Sequence, residues 1–234
     1  MLKAVLFDFN GVVIKDEHLH ETLLDQLLIE ENLRPKPGEF RQMCLGRSDR
    51  ACIRDLFGSR GRVMTDAALD ILIARKAKAY RALLETLNPI PSYPGLQDLI
   101  FNLRGSQLKL AIVSGALRSE IDYVLQRLNL GEVFSVIVSG DDAVASKPDP
   151  APYLLAVARL HQQFPDLNVQ PGDCLAIEDT FAGLLAAKNA KIPVVGVANT
   201  YPFHMLQRRA NWTVDYLSDL ELDRVRQVYD QTAA

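Results

Sequence analysis

Four short stretches, at or just beyond the ends of apolar runs, carry groups that can do chemistry. They are Asp8-Phe9-Asn10-Gly11, Ser114-Gly115, Ser146-Lys147-Pro148 and Glu178-Asp179-Thr180. Together they supply carboxylates, a hydroxyl and an ammonium. Carboxylate oxygens suit Mg²⁺, a hard cation that keeps several waters and often shares a phosphate. Serine, lysine and helix N-terminal amides suit a phosphoryl group. Each piece has a plainer reading by itself: Asp8 as a strand terminator, Asn10-Gly11 as a hairpin turn, Ser114 and Asp179 as helix N-caps, and Lys147-Pro148 as an exposed loop. Four of them in order at strand ends make a more specific signal than any one alone.

The elements that must position these groups follow from hydrophobic patterning. Residues 4–7, 108–113, 133–138, 174–177 and 192–197 are short, continuous apolar segments, the mark of parallel strands buried on both faces. Between them, 117–128 and 152–160 have helical period, and 182–190 is rich in the strong helix formers Ala, Leu and Lys. Strands alternating with helices predict an α/β fold with a doubly wound parallel sheet, whose ligands bind beyond the carboxyl ends of the strands. Residues 17–88 break the rhythm and read as helices at 18–32, 38–45, 49–56 and 65–87. A Pro-rich stretch at 89–95 then restores the alternation. The parse is a core of residues 1–16 and 89–234 with a helical cap, 17–88, inserted after the first strand and hinged at 14–16 and 88–94.

Composition narrows the function classes. The 234 residues are 48% hydrophobic and 24% charged, as in a globular protein with a real core. Lys and Arg number 26 against 29 Asp and Glu, a net charge of -3 with no basic block, which argues against non-specific nucleic-acid binding. Cys44, Cys52 and Cys174 have no C-x-x-C spacing and an odd count, so all three are expected as packing residues of a reducing compartment. The start carries no signal-peptide pattern and no apolar run reaches the ~18 residues of a membrane span. A soluble, cytoplasmic protein is expected, monomeric or weakly homo-oligomeric, without nucleic-acid or membrane partners.

The motif stretches resemble the haloacid dehalogenase superfamily, in its branch of beta-phosphoglucomutase-like and sugar-phosphate phosphatase members. The resemblance covers nearly the whole chain and is carried by Lys3-Ala4-Val5-Leu6-Phe7-Asp8-Phe9-Asn10-Gly11-Val12, Ile112-Val113-Ser114-Gly115, Ser146-Lys147-Pro148-Asp149-Pro150 and Ile177-Glu178-Asp179-Thr180-Phe181-Ala182-Gly183. It implies a phosphohydrolase acting on a small phosphorylated metabolite under a mobile cap that selects the substrate. Asp8 would be the nucleophile that forms an aspartyl-phosphate. Its second oxygen, the Asn10 backbone carbonyl and the Asp179 carboxylate would hold Mg²⁺, with Glu178 a direct ligand or one step removed. Ser114 and the Gly115 amide would bind phosphoryl oxygens, and Lys147 would neutralise charge between phosphate and nucleophile.

One position departs from the pattern. The family's phosphatases and mutases place a second Asp two residues after the nucleophile to protonate the leaving oxygen, and here Asn10 stands there. An amide has no proton to give at neutral pH. A dehalogenase needs no such acid, but it needs no metal either, and Glu178-Asp179 resembles a metal motif. In the cap, His20, Arg47 and Arg50 of the 45–50 loop, and Lys76 fall where the branch places substrate contacts, and either arginine could grip a second anion. Ala116 and Leu117 lie where a mutase handling bisphosphates would favour polar side chains. The alternatives are therefore a hexose-phosphate mutase and a weakened phosphoryl-ligand binding protein.

Overall fold

A computed structural model describes residues 1–142 and 145–232. Six parallel strands form one sheet in the order β3-β2-β1-β4-β5-β6: β1 Ala4–Phe7, β2 Lys109–Val113, β3 Val136–Val138, β4 Cys174–Glu178, β5 Val194–Val197 and β6 Trp212–Val214. Strand residues alternate between two cores. Val5 and Phe7 join Ile112 and Ile177 on one face, and Ala4 and Leu6 join Val113 and Ala176 on the other. Burial on both faces is why these strands read as unbroken apolar runs.

Among the described residues, ten helices accompany the sheet: α1 Glu17–Glu30, α2 Glu39–Met43, α3 Asp49–Gly58, α4 Asp66–Thr86, α5 Leu96–Gly105, α6 Arg118–Arg127, α7 Ala151–Gln163, α8 Phe181–Asn189, α9 Phe203–Leu206 and α10 Leu222–Thr232. None is long and apolar enough to cross a membrane. Helices α1 to α4 follow β1 directly and pack around a third core that includes Leu28, Ile53, Phe57 and Leu69. Hydroxyl caps start three helices: Ser48 accepts from Ala51 N, Thr65 from Ala68 N and Thr180 from Gly183 N. The buried stripe of α4, Leu69, Leu72, Ile73, Lys76, Tyr80 and Leu84, keeps helical spacing but includes a lysine that is 2% exposed.

The structure corrects several expectations. The 133–138 run yields a strand only from Val136, because residues before it close a turn after α6. Strand β6 and helices α5 and α10 were not expected. Asp179 caps no helix, since Thr180 takes that role in α8, and Asn10-Gly11 turns the chain between parallel strands rather than within a hairpin. Lys147 is buried, not in an exposed loop. Cys44 and Cys52 are joined in a disulfide with Cα atoms 4.7 Å apart, so only Cys174 is a free packing cysteine. The bridge removes the cysteine argument for a reducing compartment.

Candidate active site

Parallel register brings the motif residues to one end of the sheet. Phe7 pairs with both Ile112 and Ile177, so Asp8 emerges beside Val113 and Glu178. The Asp8 amide donates to Ile177 O at 3.0 Å, and the Ser114 amide to Val138 O at 2.9 Å. Gly11 follows with φ +83°, and a Cβ there would collide with the Asp179 and Glu17 carboxylates. Glycine lets the β1 loop pass between them.

Lys147 lies under this end, fully engaged. Its ammonium donates to Asp8 Oδ1 at 2.9 Å, Val113 O at 2.8 Å and Glu178 Oε1 at 2.6 Å. Burial works against its charge, but Asp8 and Glu178 hold its pKa above the ordinary lysine value. Asp8 Oδ1 also accepts from the Phe9 amide at 2.7 Å, which leaves Oδ2 uncommitted. Tyr153 donates to Glu178 Oε1 at 2.6 Å. Burial and the Asp8 charge push the Glu178 pKa to about 8 against the pull of Lys147 and Tyr153. Asp179 is raised by burial and then by Asp8, Glu17 and Glu178. Its Oδ2 accepts from the Thr200 hydroxyl, whereas its Oδ1 is buried with no partner.

That orphaned oxygen tests the fit to a divalent cation. Ligand atoms of Asp8, Glu178 and Asp179 lie within 4.8 Å of one another. Three buried carboxylates against one ammonium form a cluster that a divalent cation would neutralise. Asp179 Oδ1 is free to bind it beside the Asp8 carboxylate, and Glu178, already held by Lys147 and Tyr153, suits a place one step out.

A cavity opens between α1–α3 and the strand ends, with Asp8, Asn10, Ser114 and Gly115 as its base and His20 and Arg47 in its opposite wall. Helical residues press on the base closely: a Cβ at Gly115 would lie 2.8 Å from the backbone of Ser48, whose amide donates to Ser146 Oγ at 2.8 Å. Ser114 Oγ accepts from Ala116 N at 3.0 Å and keeps its proton for another acceptor. Lys76 lies behind the wall, donating to Asp49 Oδ2 and to His20 Nδ1, each at 2.8 Å. An ammonium has no acceptor. His20 Nδ1 therefore accepts, and its Nε2 lies 3.1 Å from the Asn10 side-chain nitrogen and 3.2 Å from Asp16 Oδ2. Arg50 is not brought to the cavity; it pairs outward with Asp66 and Asp70.

Several residues at the site escaped the sequence reading: Asp16, Glu17, Asp49, Tyr80 and Glu120. Asp16 is fully buried and takes hydrogen bonds from the Asn10 amide and the Tyr80 hydroxyl. Burial and then the Asp16 charge lift Glu17 to about 7. The available signal was Lys76 and Tyr80 standing four apart on the apolar stripe of α4, polar groups that need buried partners.

Comparison with known proteins settles the family. The description "haloacid dehalogenase-like hydrolase" matches residues 2–191. The chain belongs to this family. Beta-phosphoglucomutase of Bacillus subtilis is 30% identical over 232 residues, 98% of this chain and 96% of the relative. Validoxylamine A 7'-phosphate phosphatase of Streptomyces hygroscopicus subsp. limoneus is 28% identical over 86% of this chain and 88% of its own. The fold matches the crystal structure of beta-phosphoglucomutase from Clostridium difficile with a TM-score of 0.84 at 22% identity, over 100% and 99% of the two chains. As a member of the haloacid dehalogenase-like hydrolases, the protein is an enzyme of the phosphatase type.

Proposed function

We propose that the protein is a Mg²⁺-dependent phosphohydrolase that releases phosphate from a small phosphorylated sugar through an aspartyl-phosphate on Asp8. The observation that carries this reading is the division of labour at Asp8: Oδ1 is fixed by Lys147 and the Phe9 amide while Oδ2 is left to attack. The sugar-phosphate class rests on the relatives, whose names include a beta-phosphoglucomutase and a validoxylamine A 7'-phosphate phosphatase. Mg²⁺, held by Asp8, Asp179 and the Asn10 carbonyl, would offset the negative charge of the phosphoryl oxygens. Ser114 Oγ–H and the Gly115 amide orient those oxygens, and Lys147 lowers the repulsion between the dianion and Asp8, so the acceleration comes from positioning and electrostatics. Attack by Asp8 forms the Asp8–phosphorus bond and breaks the bond to the leaving oxygen; water then releases phosphate and restores Asp8. Helices α1 to α4 serve as the cap in this reading.

The similarity to a phosphoglucomutase favours a second reading, in which Asp8 passes phosphate between positions of a hexose phosphate. One experiment separates the two. Phosphate release from an aryl phosphate and from hexose phosphates is measured with and without Mg²⁺, in wild type and Asp8→Asn. Metal-dependent release that the Asp8→Asn variant lacks is expected; isomerisation of a hexose phosphate that needs a bisphosphate activator would replace the hydrolase reading with the mutase one.

A further inference from the structure

The far side of the cavity has a chemistry of its own. Glu120 lines it, is 5% exposed, and sits in the first turn of α6, where Oε2 accepts from the Leu117 amide at 3.0 Å. That bond explains only one of its oxygens. Glu120 Oε1 is buried without a partner; Glu17 Oε1 is unpartnered too, but it lies at the strand-end floor beside Gly11. A buried acceptor left unpaired is costly unless a ligand supplies the donor. The Glu120 oxygen therefore calls for an O–H or N–H group from whatever fills the cavity.

The cations nearby are already matched. Arg47 spends its guanidinium on Met43 O and the Asp55 carboxylate, both at 2.7 Å. Lys76 is held by Asp49 and His20, and Arg50 by Asp66 and Asp70. Among the described residues, no cation lining the cavity lacks a carboxylate partner, while Asp49, Glu17 and Glu120 all border it. A second phosphate placed here would find no cation free of a carboxylate partner and would lie against Glu120. Leu24, Phe40 and Leu45 supply an apolar wall suited to the C–H face of a sugar ring.

We propose that the cavity beyond the phosphoryl site takes the uncharged, hydroxyl-bearing end of a sugar monophosphate, with Glu120 as the residue that accepts its hydrogen bonds and disfavours a second anion. This inference rests on the phosphohydrolase reading and narrows its substrate class. Glu120 determines specificity; it does not touch the reacting atoms.

The test compares kcat/KM for a hexose monophosphate and for the bisphosphate of the same hexose, with an aryl phosphate as the reference substrate in each preparation. Wild type is expected to favour the monophosphate by roughly tenfold or more, with the difference carried by KM. Glu120→Gln replaces an acceptor by an amide that can donate, keeps the size of the side chain, and is expected to narrow the ratio several-fold. Because the ratio is taken within one preparation, a partly unfolded variant does not distort it. Equal or better use of the bisphosphate by wild type overturns the inference and leaves the phosphohydrolase reading standing. A ratio unmoved by Glu120→Gln removes Glu120 from the role. No metal-dependent release from the aryl phosphate overturns the phosphohydrolase reading and this inference with it.

Discussion

The Asn10 side-chain amide donates to both oxygens of Asp16, at 3.1 and 2.9 Å. Residue 10 lies two positions after Asp8 and residue 16 at the entry to α1, so the pair joins the strand end to the helical segment. An amide opposite a buried carboxylate is electrostatically matched. Two carboxylates there would not be, because like charges about 3 Å apart cannot both ionise without a large pKa shift. The amide at position 10 is thus part of a matched local arrangement, and its consequences for proton transfer must be read together with Asp16.

Substitution of both members tests that arrangement. Asn10→Asp alone is expected to add an acid near the leaving oxygen and to destabilise the fold by about 1–3 kcal/mol through repulsion from Asp16. The exchange Asn10→Asp with Asp16→Asn keeps one amide and one carboxylate in contact. Hydrolysis of alkyl phosphates, whose leaving oxygens need a proton, should rise from wild type to Asn10→Asp to the double variant, bounded by ~10²–10⁴-fold. Aryl phosphates should change far less. Equal alkyl rates in all three proteins would mean that a different group already supplies the proton.

Asp179 makes a prediction that needs no turnover. Its buried, unpartnered Oδ1 faces the charges of Asp8 and Glu178 in the metal-free protein. Asp179→Asn should therefore raise the metal-free Tm, by ~2–4 °C for each kcal/mol relieved. The same variant should lose most of the Tm increase that Mg²⁺ gives wild type. A variant that binds Mg²⁺ with unchanged affinity in calorimetry would remove Asp179 from the ligand set.

Lys147 is the counterpart. Removing its ammonium by Lys147→Met strands Asp8 and Glu178 in a dry site, an expected loss of ~3–5 kcal/mol in denaturant unfolding. Lys147→Arg should not restore stability, because a planar guanidinium cannot reproduce three contacts converging on one nitrogen at 2.6 to 2.9 Å. Wild-type stability in the arginine variant would show that charge alone suffices.

How much of this was legible in the sequence depended on how each signal is encoded. The strand-end residues were readable because strands buried on both faces leave unbroken apolar runs, and Asp8, Ser114 and Asp179 interrupt or follow them. Strand β6 was not, since its three residues are only half-buried and carry no run. Arg50 was expected in the site, but neighbours on a helix point about 100° apart, so Asp49 turns in to Lys76 while Arg50 turns out to Asp66 and Asp70. Glu120 looked like any acidic residue in a first helical turn; its burial near Lys76 and Asp49, which only the fold brings to it, leaves its second oxygen an orphan. The Cys44–Cys52 pair spans the end of α2 and the start of α3, and the turn through Gly46, at φ +76°, brings the two together in a way that spacing does not announce.

The Glu39–Arg60 pair gives a pH signature. Both oxygens of Glu39 accept from the guanidinium, at 2.8 and 2.6 Å, and both side chains are 9% exposed. Hydrogen bonding to Arg60 holds the Glu39 pKa below its ordinary 4.5. The pair's contribution is therefore full above that pH and lost as pH falls through the lowered folded value. Glu39→Gln should lower stability at neutral pH, and the gap from wild type should close in acid. A gap independent of pH would assign the loss to packing.

The disulfide bears on how the cavity closes. Cys44 and Cys52 are eight residues apart in sequence and bracket the loop that carries Gly46 to Thr180 and Ser48 to Gly115 and Ser146. Closing so short a loop contributes about 2–3 kcal/mol by restricting the unfolded chain. In the folded protein it also limits how far residues 45–51 can leave the phosphoryl site. Reduction with a dithiol, or Cys44→Ser with Cys52→Ser, should speed hydrogen exchange at 45–51 and raise KM more than it lowers kcat. If helices α1 to α4 act as a cap, phosphate and Mg²⁺ together should slow exchange in the same loop. Exchange at 45–51 that is the same in oxidised and reduced protein would show that the bridge secures the fold of α2 and α3 and leaves the loop's approach to Ser114 and Gly115 to their own contacts.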